Sequence, residues 1–354
     1  MPGQIISAIL LTIAMLLLCS NAAHSAEPKT FTLAISPYAG WMPWYYAEQE
    51  KILDKWAKHF GISIKVEQED YVPSIERFVA GHADAVAITN IEALDIPAAS
   101  DVDSSIIILG DYSNGNDAML ARTKMSLTDL KNKKIYLAEK TVSQYLLSRA
   151  LDTAKLKESD VHTVNVGEDD ISQLSRKPEN ILVTWNPLVL EIAKLPGAHI
   201  LFSSAQIPNE IQDLLVVNSR TLASNPNLAR ALVATWYEVM KELSSTNGGK
   251  VAAQMAAIGK EPIDTFKQEL KSTAFFSTPE SAVNYMESAD LKAKTNLVRK
   301  FCFSHGLLGE GAKSVDAIGI QFPDGTVAGA KSNIKLRYVD TFTKELLAPK
   351  KNQF

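Results

Sequence analysis

The sequence predicts an α/β protein that is built as two lobes with a hinge and a ligand cleft between them. From residue 28 onward, short apolar or β-branched segments alternate with helical patterns, which is typical of parallel strands connected by helices. A second alternating set follows the first, and one more strand then leads back into a helical tail. An α/β unit interrupted by another α/β unit needs two chain crossings, so we expect the lobes to close on a ligand.

The first set consists of three strand–helix pairs and a fourth strand. We predict strands at 31–36, 63–68, 83–89 and 105–111, and helices at 43–60, 72–80 and 91–98. This alternation predicts a mostly parallel sheet that is covered on both faces.

The second set begins near residue 118. We predict strands at 118–122, 134–138, 162–166, 181–184 and 199–202, helices at 143–154, near 171 and at 187–192, a returning strand at 213–218, and a tail that is almost wholly helical over 226–308. The domain prediction is therefore one discontinuous lobe of residues 27–117 and 218–354 and a second lobe of residues 118–217.

The N-terminus is typical of an export signal. An apolar run of 14 residues, Ile5–Leu18, is too short to span a bilayer and is followed by small residues, so we predict a signal peptide over 1–26 and a periplasmic protein. A lipid anchor at Cys19 is an alternative, although lipoproteins favour a residue smaller than Leu18 before that cysteine. After cleavage Cys302 is the single cysteine, so no intramolecular disulfide can form.

The composition argues against a strongly basic surface on this protein. The 354 residues are 46% hydrophobic and 21% charged, with a formal net charge of −4. These values are ordinary for a soluble protein of about two domains. We therefore expect no nucleic-acid partner.

The stretch from Ser36 to Tyr46 follows the first strand and opens the first helix. Gly40 lets the chain bend there, and the aromatic side chains supply flat apolar surface. We assign Trp41, in the turn itself, to the wall of a ligand site. Trp44 and Tyr46 are expected to pack in the core.

Polar and aromatic side chains follow several predicted strands, where ligands collect in open α/β sheets. The candidate ligand-binding residues are Trp41, Asp70, Thr89, Asn90, Asp111, Ser143, Trp185, Asn186 and Glu210. Some have structural alternatives, since Asp70, Thr89 and Thr141 next to Ser143 could simply cap helices. Asp213 is interpreted as a hinge residue, and Asp117 is expected near the cleft rather than in it.

Acceptors outnumber cationic donors among these candidates. A pocket for nitrate or a sulfonate needs Arg, Lys or free backbone N–H groups, and Arg122 is the one nearby cation that we expect. Carboxylates accept hydrogen bonds from N–H-rich ligands, and aromatic faces suit planar or cationic ones. Guanidinium meets both demands, whereas urea meets the hydrogen-bonding demand without the charge.

The sequence offers no catalytic or metal-binding constellation. The histidines after residue 26 lie far apart, no paired-cysteine spacing is present, and phosphate-loop and nucleophile-elbow motifs are absent. We therefore expect a binding protein without cofactor or metal, and not an enzyme.

Several motifs together resemble a known family. They are Gly40-Trp-Met-Pro-Trp44, Thr89-Asn90, Gly110-Asp-Tyr-Ser-Asn-Gly-Asn-Asp117, Val183-Thr-Trp-Asn-Pro187 and Gln206-Ile-Pro-Asn-Glu-Ile-Gln-Asp213. The chain resembles periplasmic solute-binding proteins of ABC importers of the nitrate/taurine/sulfonate class, which includes relatives of thiamine-precursor proteins. Within that class it is most similar to the proteins associated with urea carboxylase. It departs from them at 206–210, where relatives often have Gly before the Glu.

The resemblance implies a type II periplasmic-binding-protein fold and a monomer that delivers a guanidine- or urea-like solute to a permease and ATPase. Binding of taurine, another sulfonate, nitrate or a thiamine-pyrimidine precursor remains an alternative. Enzymes of the wider family that make the thiamine pyrimidine are cytosolic and carry a Cys-rich motif, which this chain lacks. A sensory ligand-binding module is a further alternative.

Overall fold

Two β-sheets with helices packed around them confirm the predicted α/β class. The structure, a computed structural model, describes residues 28–348 apart from the side chains of residues 168 and 169. The predicted signal peptide and Cys19 lie outside the described residues. Within them, the larger sheet has nine strands in the order β13-β12-β14-β4-β10-β3-β1-β2, with β11 paired to β4, and the smaller has five in the order β7-β6-β8-β5-β9.

The elements up to the first crossing belong to the larger sheet. They are β1 (Lys29–Ile35), α1 (Met42–Gln49), α2 (Ile52–His59), β2 (Ile62–Gln68), α3 (Tyr71–Val79), β3 (Ala85–Thr89), α4 (Asn90–Ala93), a π-helical turn (Leu94–Ala98) and β4 (Ser104–Ser113). The predicted helix over 43–60 is two helices, because Lys51 takes a left-handed conformation with φ 62° and re-aims the chain. That turn buries Ile52 and Leu53.

The smaller sheet follows. Its elements are β5 (Asp117–Ala121), β6 (Lys134–Leu137), α5 (Val142–Ala154), β7 (His162–Asn165), α6 (Glu168–Leu174), β8 (Ile181–Trp185), α7 (Leu188–Ala193) and β9 (His199–Ser203). Strand β6 is parallel to β7 and β8, whereas β5 is antiparallel to β8 and β9.

The returning strand corrects the predicted boundary at residue 217. Strand β10 (Gln212–Asn218) lies in the larger sheet, antiparallel to both β3 and β4. Residues 212–217 therefore pack with the first sheet, because the apolar run Leu214–Val217 is buried between those two strands. The second crossing lies before residue 212.

The C-terminal part contains strands that the helical prediction missed. Helices α8 (Ser219–Ser224), α9 (Pro226–Leu243), α10 (Gly248–Ile258), α11 (Ile263–Lys271), α12 (Pro279–Met286) and α13 (Ala289–Ser304) are interrupted by β11 (Thr273–Phe275) and followed by β12 (Gly319–Gln321), β13 (Val327–Ala328), β14 (Ile334–Tyr338) and α14 (Thr341–Leu347). Most of these strands have two or three residues, too few to show a period. Strand β14 does alternate, with Ile334, Leu336 and Tyr338 on one face.

The main apolar core includes residues of both sheets, and a second, smaller cluster lies at the smaller sheet. The long helix α9 packs on α1 and α2, and it brings Trp236 to Trp44, with 5.3 Å between their ring centroids. Trp44 and Tyr46 are buried, as predicted. Across residues 28–348, no helix has the length and apolarity needed to cross a membrane.

Asn90 fixes the segment that returns to the larger sheet. Its Nδ2 donates to the backbone oxygen of Glu210 at 3.0 Å, and its Oδ1 accepts from the backbone N–H of Gln212 at 3.1 Å. The side chain is buried, so water cannot replace either bond.

We predict that Asn90→Ala lowers the free energy of unfolding by about 2–4 kcal/mol, because two buried backbone groups lose their partner. Urea unfolding at neutral pH measures the loss. Asn247→Ala is the control, since Asn247 is exposed and its side chain does not cap its helix. A loss below about 1 kcal/mol for Asn90→Ala would contradict the assignment.

Candidate functional site

A cleft with a volume of about 790 Å³ lies between the two sheets. Its walls are formed where β1, β2 and β3 of the larger sheet and β6, β7 and β8 of the smaller sheet end, and where the antiparallel strands β5 and β10 begin. The lining residues include Tyr38, Trp41, Asp70, Tyr71, Thr89, Asp117, Thr141, Asp170, Trp185 and Asp213. Open α/β sheets bind ligands at such edges.

Aromatic rings form one wall of the cleft. The ring of Trp41 lies 5.1 Å from that of Tyr38, edge to face, and 5.3 Å from that of Tyr71. The indole N–H of Trp41 is buried and makes no hydrogen bond within the described residues. Trp185 lines the cleft from the smaller sheet.

Two aspartates lie side by side beneath this wall. The register of β4 and β10 makes Asp111 and Asp213 direct partners, so their side chains share one face of the sheet. Asp111 is completely buried and Asp213 is 3% exposed, and Asp213 lines the cleft. Neither oxygen of Asp111 receives a hydrogen bond from a described donor, so a bond between the two carboxyl groups requires a proton on one of them.

Gly40 is needed because the chain passes directly over Asp111. A Cβ at this position would lie 2.8 Å from Oδ2 of Asp111 and 2.9 Å from the ring of Tyr38. Any side chain here would push the turn, and Trp41 with it, away from the carboxyl pair.

Burial disfavours the charged form of both aspartates. It raises the pKa of Asp111 to about 7, although a hydrogen bond donated by a protonated Asp213 opposes the shift. The pKa of Asp213 is raised well above its ordinary value by burial and then by the charges of Asp111, Asp117 and Glu92.

Asp117, at the start of β5, adds a third buried carboxyl group. Ser113 Oγ donates to its Oδ2 at 2.5 Å, yet burial raises the pKa of Asp117 to about 7. It lines the cleft, so its position differs from the expected one near the cleft but outside it.

A fourth buried carboxyl group, Glu92, connects the two lobes. It accepts from the Tyr71 hydroxyl at 3.1 Å, from the backbone N–H of Val142 at 3.1 Å, and from the Thr89 hydroxyl. Burial raises the pKa of Glu92. Val142 begins helix α5. Its N–H, one of the free donors of that helix start, is therefore already bonded to Glu92.

The cleft carries no cationic side chain among its described lining residues. Arg122 does not fulfil the expectation of a nearby cation. Its guanidinium donates to the backbone oxygens of Ser175 at 3.0 Å, Pro196 at 3.1 Å and Arg176 at 3.3 Å, in a different part of the second lobe. In residues 28–348, no group of His, Cys, Asp or Glu side chains is arranged to hold a metal ion.

The sequence matches the family described as "NMT1/THI5 like" over residues 61–241, just over half of the chain. The chain belongs to the NMT1/THI5-like family. No curated protein matches the sequence.

Solved structures show the same fold in periplasmic binding proteins. The chain is similar to a putative sulfonate ABC transporter periplasmic sulfonate-binding protein from Methylobacillus flagellatus KT, with TM-score 0.68 and 15% identity, covering 91% of this chain and 96% of that one. It is similar to the periplasmic aliphatic sulphonate binding protein of Escherichia coli, with TM-score 0.66, 16% identity and coverage of 79% and 88%. For the periplasmic nitrate-binding protein from Synechocystis PCC 6803 the TM-score is 0.56, with 13% identity and coverage of 86% and 96%.

Four of the nine candidate residues from the sequence line the cleft, namely Trp41, Asp70, Thr89 and Trp185. Asp70 occupies the N-cap position of α3 without a capping hydrogen bond, and Thr89 caps α4 by accepting from the N–H of Ile91 at 3.3 Å. Asp111 lies directly beneath the surface, against Asp213.

The remaining four candidates do not line the cleft. Asn90 binds backbone, as described above, and Ser143 is buried within α5. Asn186 donates to Asn116 Oδ1 at 2.8 Å. Glu210 accepts from Tyr145 and from Arg149 Nε at 2.8 and 2.7 Å, and Lys294 lies 3.3 Å away, so its carboxylate is already neutralised.

The sequence analysis missed Tyr38, Tyr71 and Glu92 and interpreted Asp213 as a hinge residue. Tyr38 precedes Trp41 within the same aromatic turn, a signal that could have found it. Asp213 could not be found from spacing, because its role depends on the antiparallel register with Asp111, and chain order does not reveal which strands pair.

We predict that Asp111→Asn stabilises the ligand-free protein at high pH. The raised pKa means that the wild type has its full stability below the ordinary Asp value near 4 and loses it as pH rises through about 7. The variant lacks this loss, so its advantage grows by up to about 1.4 kcal/mol per pH unit in that window.

Urea unfolding of both proteins from pH 4 to pH 8 measures the difference. Asp70→Asn is the control, because it removes an exposed carboxyl group from the rim of the same cleft. Parallel stability curves for wild type and Asp111→Asn would contradict the prediction.

Proposed function

We propose that this protein is the periplasmic solute-binding component of an ABC importer and that it captures a small cationic solute rich in N–H groups, of the guanidinium type. Family membership and the fold support the binding role, since the similar solved structures are described as periplasmic binding proteins. In this proposal the protein works as a monomer without cofactor or turnover and delivers the solute to a permease and ATPase.

The charge of the cleft is the observation that carries the choice of solute. Asp117 and Asp213 line it, Asp111 lies beneath it, and its described lining residues include no Lys, Arg or His. Carboxylates accept from N–H donors, and a planar cation gains further attraction from the face of Trp41. A neutral urea would gain only the hydrogen bonds.

An anionic solute finds no cationic side chain among the described lining residues of this site. Nitrate and sulfonates bind through Arg, Lys or free backbone N–H groups at helix starts. At the start of α5, the N–H of Val142 donates to Glu92 and that of Ser143 donates to Thr141 Oγ1 at 3.2 Å. In this proposal the same fold binds a solute of the opposite charge, because the side chains of the cleft walls decide which ligand is bound.

The two lobes enclose the solute in this proposal. The first lobe comprises 28–116 and 212–348, and the second comprises the smaller sheet with its helices. Glu92, which already accepts from Val142 across the cleft, would act as one contact between them.

We predict that purified protein, unfolded and refolded to remove carried solute, binds guanidinium at least about tenfold more tightly than urea, because a charge-assisted hydrogen bond contributes about 1.5–3 kcal/mol. Titration calorimetry against guanidinium, urea, taurine, nitrate and an aminopyrimidine measures the order. Trp41→Ala is expected to weaken guanidinium binding about ten- to thirtyfold through the lost cation–π contact.

Trp56→Ala is the matched control, because Trp56 stacks on Phe60 outside the cleft. Its affinity for guanidinium should equal that of the wild type. Tight binding of taurine or nitrate without measurable guanidinium binding would contradict the cationic solute and leave the importer role in place.

A further inference from the structure

The buried carboxyl groups at the cleft differ in their charge compensation from another buried carboxyl group in the same chain. Glu210 is 2% exposed and is surrounded by Tyr145, Arg149 and Lys294, so its negative charge is compensated. Asp111, Asp117, Asp213 and Glu92 are equally buried, but no salt bridge joins any of them to a described cation.

The titratable groups that act electrostatically on the carboxyl pair are all acids or phenols. They are Asp117 on β5, Glu92 on α4, Tyr71 on α3 and Tyr38 in the turn after β1, with Glu269 of α11 beyond Tyr38. None of these groups can supply a positive charge. The described residues therefore supply no counter-ion to the carboxyl pair.

A buried carboxylate without a partner costs several kcal/mol, and two neighbouring carboxylates repel each other as well. One proton on the pair removes the repulsion and leaves a single negative charge, and the O–H of one carboxyl group then donates to the other. The paired register of Asp111 and Asp213 provides the geometry for this shared proton. Asp213 opens onto the cleft, so an arriving cation reaches the pair directly.

We propose that the solute cation enters in exchange for a proton held by the Asp111–Asp213 pair. This inference rests on the proposed function and adds its chemistry. The O–H bond of one carboxyl group breaks, the proton passes to water or buffer, and the resulting carboxylate accepts hydrogen bonds from the N–H groups of the cation. The charge of the buried site is thereby the same before and after binding.

The exchange makes affinity depend on pH in a defined direction. A proton and the cation compete for the same carboxyl pair, so the dissociation constant falls as pH rises. A neutral N–H-rich molecule has no charge to replace the proton and releases none. The site thus distinguishes a cation from its neutral isostere by the proton as well as by direct attraction.

Titration calorimetry with guanidinium chloride tests the exchange. Heats measured in phosphate and in Tris at one pH differ by the ionisation heat of the buffer multiplied by the number of protons released. We expect about one proton released per bound cation and a dissociation constant that falls by close to tenfold from pH 6 to pH 7. Urea, titrated at high concentration in the same buffers, should release none.

Asp111→Asn separates the exchange from simple attraction. It leaves Asp213 to accept from the cation but removes the neighbouring carboxyl group that shares the proton. Burial still raises the pKa of Asp213, but the charge of Asp111 no longer adds to that shift, so the dissociation constant should fall less steeply over the same interval than the tenfold expected for the wild type. Asp264→Asn, which changes an exposed carboxyl group outside the cleft, should leave the proton count as in the wild type.

Guanidinium binding with equal heats in both buffers and a constant affinity would overturn the exchange and leave the proposed function standing. An Asp111→Asn variant that keeps the full pH dependence would overturn the assignment to this pair. If the wild type binds no guanidinium at any pH, both the exchange and the cationic solute are wrong.

Discussion

The structure depends most on a carboxyl pair that is buried in a sheet and has no counter-ion among residues 28–348. Strand β10 enters antiparallel between β3 and β4, and that register places Asp213 beside Asp111. The turn above the pair passes so close to Asp111 that position 40 has no room for a side chain. The same turn brings Trp41 over the cleft. The sheet pairing and the glycine turn together place the aromatic wall over this buried acid.

The chain contains two kinds of buried carboxyl group, one with a structural role and one that is suited to binding a ligand. Glu210 is neutralised by Arg149 and Lys294 and holds α5 of the second lobe to α13 of the first. In the part of the chain that the structure describes, the acids at the cleft have no such partners, which leaves their charge available to a ligand. Relatives of the same fold are described as binding sulphonates or nitrate. The fold supplies the edge where strands end, and the side chains at that edge decide the charge of the solute.

The fold class was predictable because strand–helix alternation is a local pattern, and so was the position of Trp41 in the turn after β1 and of Thr89 at the end of β3. The misassigned residues depend on information that the sequence does not contain locally. Asp213 acquires its neighbour only when β10 pairs with β4, and Glu210 meets its two cations only through helices far away in the chain. The short strands β12 and β13 are stabilised by pairing and show no period of their own.

The ionisation of the buried aspartates is the most direct test of this account. Carbon-13 labelling of the aspartate carboxyl groups and NMR titration of the ligand-free protein, assigned with Asp111→Asn and Asp117→Asn, report each protonation state. The account predicts that the carbon-13 shifts still report largely protonated carboxyl groups at pH 6, both in the Asp111–Asp213 pair and at Asp117. The reason is that burial raises the pKa of Asp111 and of Asp117 to about 7. Complete ionisation of all three carboxyl groups below pH 5 would contradict it.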